Sequence, residues 1–224
     1  ISTPAAIITA GVFIALGLIF SGRSMLPASQ KKVSQAPTTT TPPKEISVNP
    51  NEHIRGDLTK AEVVIVEYSD SDCPYCQRFH VTMQDVLKKY GTKVAWVYRH
   101  FPLSIHPNAE NETIALECVS TLGGNDAFWK YLDQLVEITV TPSQSAAILT
   151  TTATNSGINE KAFTSCLSNP AIAKKVTDQA AEAQSLGAQG TPYNIAIGKN
   201  GSQVVIAGAY PLEEMIKTID SLLK

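Results

Sequence analysis

Cys73-Pro74-Tyr75-Cys76 is the stretch of this 224-residue chain whose residue types and spacing carry the most direct chemistry. Two residues between cysteines make one helical turn, which brings the second sulfur beneath the first, close enough to bond to it. If a helix starts at this pair, its free N–H groups and macrodipole stabilise a thiolate, the nucleophile of disulfide exchange. Pro74 fits such a start, because the first turn leaves that N–H unbonded in any case. On this reading Cys73 is the exposed, attacking thiol and Cys76 the shielded, resolving one. The competing readings are an inert disulfide and half of a zinc site. Zinc calls for a second close pair. The other two cysteines, Cys118 and Cys166, are far apart on separate expected helices, and the four histidines are scattered, so no metal is expected.

Two distant features bear on the same chemistry. Glu67 lies six residues before Cys73, at the end of an apolar run. A carboxylate beneath the pair could accept the proton of Cys76; the alternative is a side chain pointing to solvent. Gly190-Thr191-Pro192 precedes a returning strand. Pro192 is either a strand-edge punctuator or a built feature that exposes the Thr191 backbone for strand-like pairing with a peptide. His80, two helical turns beyond Cys73, is read as a packing residue, and His106-Pro107 as the start of a helix.

The elements that must position these residues follow from periodicity and punctuation. Val63-Val64-Ile65-Val66-Glu67-Tyr68 is a short β-branched run, the pattern of a buried strand. A helix from Pro74 to Tyr90 ends at Gly91, and Val94 to Arg99 reads as a second strand. Strand, helix, strand implies parallel pairing through a right-handed crossover. From His106 to Leu186 the pattern turns helical. Five segments are expected, Ala109–Ser120, Ala127–Ile138, Ser143–Thr152, Glu160–Leu167 and Ala171–Leu186, punctuated by Gly123-Gly124, Pro142, Gly157 and Pro170. Strands then return at Tyr193–Ile197 and Gln203–Ala207 around a Gly198-Lys199-Asn200-Gly201 turn, and Leu212–Leu223 is a last amphipathic helix. The helical block separates two halves that make no complete sheet alone, so it is an insertion, at about 104–187.

Composition narrows the function. Residues 1–44 carry Arg23, Lys31, Lys32 and Lys44 and no acid. The other 14 basic and 20 acidic side chains leave residues 45–224 at a net charge of −6, which argues against a nucleic-acid partner. Residues 1–22 hold no charged side chain and read as a transmembrane anchor, since such a stretch rises roughly 33 Å as a helix. A cleaved signal peptide is the alternative, with only a weak small-residue site at Ser21-Gly22. Residues 23–48, with Pro37, Pro42, Pro43 and a run of threonines, read as an extended tether to a folded domain over 49–224. Arg23, Lys31 and Lys32 after the span argue for a cytoplasmic domain. The dithiol argues for the outside, where disulfides persist, and carries the expectation: a single-pass cell-membrane protein with its domain extracytoplasmic.

Ile54-Arg55-Gly56, the Val63–Asp70 run, Cys73 to Cys76, Phe79-His80, Arg99 to Leu103 with His106-Pro107, Phe128-Trp129, Cys166-Leu167, Leu186-Gly187 and Gly190 to Pro192 together resemble the DsbA-type thiol–disulfide oxidoreductases. The membrane-anchored members are the most similar, over about residues 50–224. The resemblance implies a thioredoxin fold with an inserted all-helical domain and a cis Thr191–Pro192 peptide. It implies Cys73 as nucleophile, Cys76 as resolving cysteine, Glu67 as buried acid, and Thr191 and Pro192 as the substrate-binding edge. It also implies exported cysteine-containing proteins as substrates, a quinone-linked membrane protein as reoxidant, and no cofactor. In an oxidising compartment, Cys118 and Cys166 are expected to form a structural disulfide, with two separately buried thiols as the alternative. Two departures weaken the expected oxidising power. Asp70 and Asp72 oppose thiolate formation at Cys73, and Tyr75 stands where the best-known oxidase has a histidine. An isomerase or reductase of the same fold, and a non-catalytic peptide-binding module, are the alternatives to an oxidase.

Overall fold

The computed structural model describes residues 44–138 and 145–224. The expected anchor at 1–22, most of the tether, and Pro142 with Ser143 lie outside the described residues. Among the described residues no helix is long and apolar enough to cross a membrane.

Five strands form one sheet in the order β1-β3-β2-β4-β5: β1 (His53–Arg55), β2 (Val63–Ser69), β3 (Val94–His100), β4 (Tyr193–Gly198) and β5 (Gln203–Ala207). β2 and β3 are parallel, with Glu67 opposite Tyr98, and the other pairs are antiparallel, with Glu67 opposite Asn194. The parallel pair is joined by α1 (Pro74–Tyr90), the crossover that the β-branched runs and the helix start imply. β1 is an addition to the expected elements. It is a three-residue edge strand, too short to show a period, held antiparallel to β3.

The strands carry apolar residues on both faces because both are covered. Val63 and Ile65 of β2, Trp96 and Tyr98 of β3 and Ala196 of β4 pack with Phe79 and Met83 of α1 and with Met215 and Ile219 of α6 (Leu212–Leu222). Val66, Tyr68, Val97 and Ile195 face the other way and pack with Ala183 and Leu186, at and just beyond the end of α5 (Pro170–Ser185). Ile46 joins this second layer, and its backbone exchanges hydrogen bonds with the Gln203 side chain.

The insert is α2 (Ala109–Ile138), α3 (Ala146–Asn155), α4 (Glu160–Cys166) and α5. The two helices expected on either side of Gly123-Gly124 meet within α2 at a kink, where Gly124 leaves helical geometry at φ 77°. The positive φ explains glycine at 124. At Gly123 a Cβ would come within 2.6 Å of both the Ala127 Cβ and the far end of the Ile158 side chain, so a larger residue there would require both to shift. Cys118 and Cys166 are joined, with S–S 2.04 Å, tying α2 to the end of α4. The architecture is a thioredoxin fold with an all-helical insertion.

Candidate active site

The β2–α1 loop delivers Cys73 to the N-cap position of α1, with Pro74 in the first turn and no side-chain oxygen capping the helix. The sulfur therefore occupies the place where an N-cap oxygen would normally sit. Cys73 and Cys76 are both free thiols. Cys73 is 2% exposed and Cys76 3%, so the attacking thiol is not the open residue expected from sequence. The backbone of the Thr191–Pro192 turn lies against it, with the Thr191 carbonyl oxygen 3.7 Å from Cys73 Sγ. That turn contains a cis peptide bond. Tyr75, 59% exposed, marks the open side of the pair.

The two thiols are driven apart electrostatically. The Cys76 thiol donating to Cys73 holds the Cys73 thiol down at about 5, against the pull of burial. The Thr191 side chain and the N–H groups of Cys76 and Tyr75 lower it further. Burial pushes the Cys76 thiol well above its ordinary value, and the neighbouring Cys73 and Glu67 add to this. One sulfur is thus a thiolate at neutral pH, and the other keeps its proton.

Glu67 is buried, not solvent-facing. Its position in β2, in register with Tyr98 and Asn194, puts it on the α1 side of the sheet. Oε1 accepts from the Ser69 hydroxyl at 2.7 Å and Oε2 from Trp96 Nε1 at 2.9 Å. Burial raises the carboxyl to about 8, despite these two donors. Ser69 lies one residue past the expected strand end, and β2 extends to include it on the same face as Glu67. The two-residue spacing is a local signal that could have identified this partner. Trp96 had no such signal, because it arrives on β3.

The acids flanking Cys73 do not stand free, which changes the expectation drawn from them. Asp72 Oδ2 accepts from the Asn108 N–H at 2.8 Å. Asp70 is wholly buried and accepts from the Leu103 N–H and from His106 Nδ1, both at 2.8 Å. His106 therefore faces the dithiol loop and is more than a helix-start residue. His80 packs, as expected, 5.0 Å from the Trp96 ring, and its Nε2 also meets Asp133 Oδ1 at 2.7 Å.

A second polar cluster lies apart from the thiols. His53 and His100 both meet Glu117 Oε1, at 2.6 and 2.9 Å, and these donor atoms lie within 4.8 Å of one another. No sequence spacing announced this trio, since β1, β3 and α2 each contribute one member. Lys175 Nζ sits 2.7 Å from Glu117 Oε2, so an ammonium already supplies the positive charge that a cation would bring.

A helix-capping thiolate over a protonated thiol, faced by a cis-proline turn, thus sits on a thioredoxin fold with a helical insert. Residues 48–221 match the family model described as thioredoxin, and the chain belongs to that family. The fold is also that of alpha-DsbA1 from Wolbachia pipientis, at TM-score 0.68 and 21% identity over 79% of this chain and 92% of that one. Oxidised BdbD from Bacillus subtilis gives TM-score 0.68 and 20% identity, over 83% of this chain and 97% of that one. Among curated relatives, the Na(+)/H(+) antiporter NhaA 1 of Salinispora arenicola is 36% identical over 93 residues, covering 41% of this chain. The chain spans only 14% of that protein's length.

Proposed function

We propose that this domain is an oxidase, passing the Cys73–Cys76 disulfide to exported proteins on the outer side of a membrane that residues 1–22 anchor it to. The observation that carries the direction is the split between the two thiols. A stabilised Cys73 thiolate stabilises the reduced dithiol, and a dithiol that prefers to be reduced makes its disulfide a strong oxidant.

A substrate thiolate attacks Cys73 Sγ, the S–S bond breaks, and Cys76 leaves. At neutral pH Glu67 is mostly protonated, so in this half-reaction it gives a proton to the departing Cys76 sulfur rather than taking one. A second substrate thiolate then attacks the substrate sulfur of the mixed disulfide. Cys73 leaves as a thiolate, a good leaving group at about 5. Two electrons have moved from the substrate to Cys73 and Cys76. The Thr191 backbone, lying beside Cys73, offers the edge on which a substrate strand pairs. Reoxidation requires an electron acceptor, for which a quinone-linked membrane protein is the proposed partner.

The reduction potential of Cys73–Cys76 against glutathione tests the direction. A value near about −120 mV supports the oxidase, and one near about −270 mV replaces it with a reductase. Failure to cycle at all, with no trapped mixed disulfide in Cys76→Ala, leaves the peptide-binding module.

A further inference from the structure

Asp70 touches both cysteines through its main chain. Its N–H points to Cys76 Sγ at 3.5 Å, and its carbonyl accepts from the Cys73 N–H at 3.1 Å. Its carboxylate is 0% exposed. Oδ2 accepts from His106 Nδ1 and the Leu103 N–H, both at 2.8 Å, and Oδ1 from the Asp72 N–H at 2.9 Å. Three donors on two oxygens favour the carboxylate, while burial, the largest influence, raises the group from its ordinary value. An uncompensated carboxylate here would oppose the negative charge that reduction places on Cys73. His106 is the side chain that compensates it. Its side chain is 17% exposed, so it exchanges protons with solvent while Asp70 is sealed off.

We propose that His106 is a redox-linked proton site and a positioning residue for the dithiol: through Asp70 it binds a proton more tightly when Cys73 is a thiolate than when Cys73 and Cys76 are joined. This rests on the oxidoreductase reading and deepens it.

The groups facing His106 agree in sign. From the β2–α1 loop these are Asp70, Asp72 and Cys73, each of which favours the imidazolium. Burial pulls the imidazole down, and their combined pull leaves it above its ordinary value. From α2, Glu110 shares a groove with His106, and α5 brings only the uncharged Ala173, Val176, Thr177 and Ala180 to it. Glu112 of α2 is buried near Asp70 and Asp72, which raise it electrostatically. Removing the Cys73 charge therefore removes one of the forces that hold the His106 proton.

The balance is explicit. A substrate dithiol gives two electrons, and the Cys73–Cys76 bond breaks. One substrate proton ends on Cys76, directly or by way of Glu67, and Cys73 stays a thiolate. The other substrate proton goes to solvent, or to His106 at any pH between its midpoints in the two redox states. Reoxidation returns it. In that window each reduction takes up a fraction of a proton more than the sulfurs alone require, up to about half for midpoints one unit apart.

Nuclear magnetic resonance of the full chain labelled at histidine reads this directly. His106, assigned through His106→Gln, should titrate about one pH unit higher in the reduced than in the oxidised protein, the size of shift a nearby charge produces. Midpoints that coincide overturn the proposal. The second measurement is the slope of the reduction potential against pH. It should steepen by up to about half a proton between the two His106 midpoints in wild type and lack that steepening in His106→Gln. The same break in both proteins also overturns it, whereas a merely structural histidine moves neither slope. If the dithiol does not cycle with glutathione, the oxidoreductase reading fails. If it cycles while the His106 midpoint stands still, only this inference fails.

Discussion

The chain holds two cysteine pairs with opposite fates. Cys73 and Cys76 are free thiols at the start of α1, whereas Cys118 and Cys166 are bonded and join α2 to α4. All four come from the same residue type, and Cys118, at 0% exposed, is as buried as either thiol of the site. Burial therefore does not decide reactivity. Cys73 has helix N–H groups aimed at it and a neighbour that donates to it, which stabilise its charge. Cys118 sits in mid-helix among Val119, Phe163 and other apolar residues of the larger core, where no backbone donor is left over. The first pair is built so that one sulfur is held as a thiolate, and the second closes a long loop whose freedom the unfolded chain would otherwise keep.

Breaking the first pair has the largest expected effect. Cys73→Ser should reduce the oxidative refolding of a reduced, disulfide-containing protein to the uncatalysed rate, because the sulfur that carries the mixed disulfide is gone and the lone, buried Cys76 has no partner with which to form the redox disulfide. Wild-type rates in that variant would show the dithiol to be inert.

Breaking the second pair should cost stability and little chemistry. The double variant Cys118→Ser with Cys166→Ser is expected to lose about 2–4 kcal/mol in urea unfolding. The Cys73 thiolate, read by ultraviolet absorbance against pH, should still form at about 5. A thiolate midpoint that moved with the second pair would mean that the insert tunes the site.

Glu67→Gln sharpens the first side of the comparison. The carboxyl, raised to about 8, holds the proton that Cys76 needs, and glutamine cannot transfer one. Rapid mixing of the oxidised protein with a reduced peptide should show the first exchange slowed by about 10- to 100-fold near neutral pH, the low end for acid catalysis. Wild type and variant should converge as the pH rises through about 8, where the wild-type carboxyl has lost its proton. Equal rates throughout would reduce Glu67 to a structural role.

The smallest effect concerns a residue shared by the two regions. Glu112 lies on α2, six residues from Cys118, yet its charge couples to Asp70 and Asp72 of the dithiol loop. Burial raises its carboxyl to about 7, from 4.5 as the reference. The folded chain thus holds this proton to higher pH than the unfolded chain does. The associated stability is complete below about 4.5 and is lost as the pH rises through about 7. Glu112→Gln should therefore unfold at higher urea than wild type at pH 8, by about 1–2 kcal/mol, with the gap closing toward pH 4. No gain at pH 8 would mean that solvent reaches the carboxyl.

Local sequence determined the frame. The β-branched runs of β2 and β3, the proline at the start of α1, the Gly198–Gly201 turn and the amphipathic α6 each form where their pattern reads, because each pattern expresses one element's own period or cap. The reactive spacing of Cys73 and Cys76 is equally local, being one helical turn. What surrounds the pair is not. Thr191 meets Cys73 across 118 residues, Trp96 meets Glu67 across 29, and His106 meets Asp70 across 36. Those meetings depend on strand order and on the angle at which the insert returns to the sheet. Neither is expressed in the period of any one segment. The same limit hid β1, whose three residues become a strand only because β3 has a free edge beside them. Sequence alone thus determined which sulfurs react. Tertiary structure decided what tunes the charge on Cys73, because burial, proton donors and compensating charges are properties of neighbours that only the folded chain brings together.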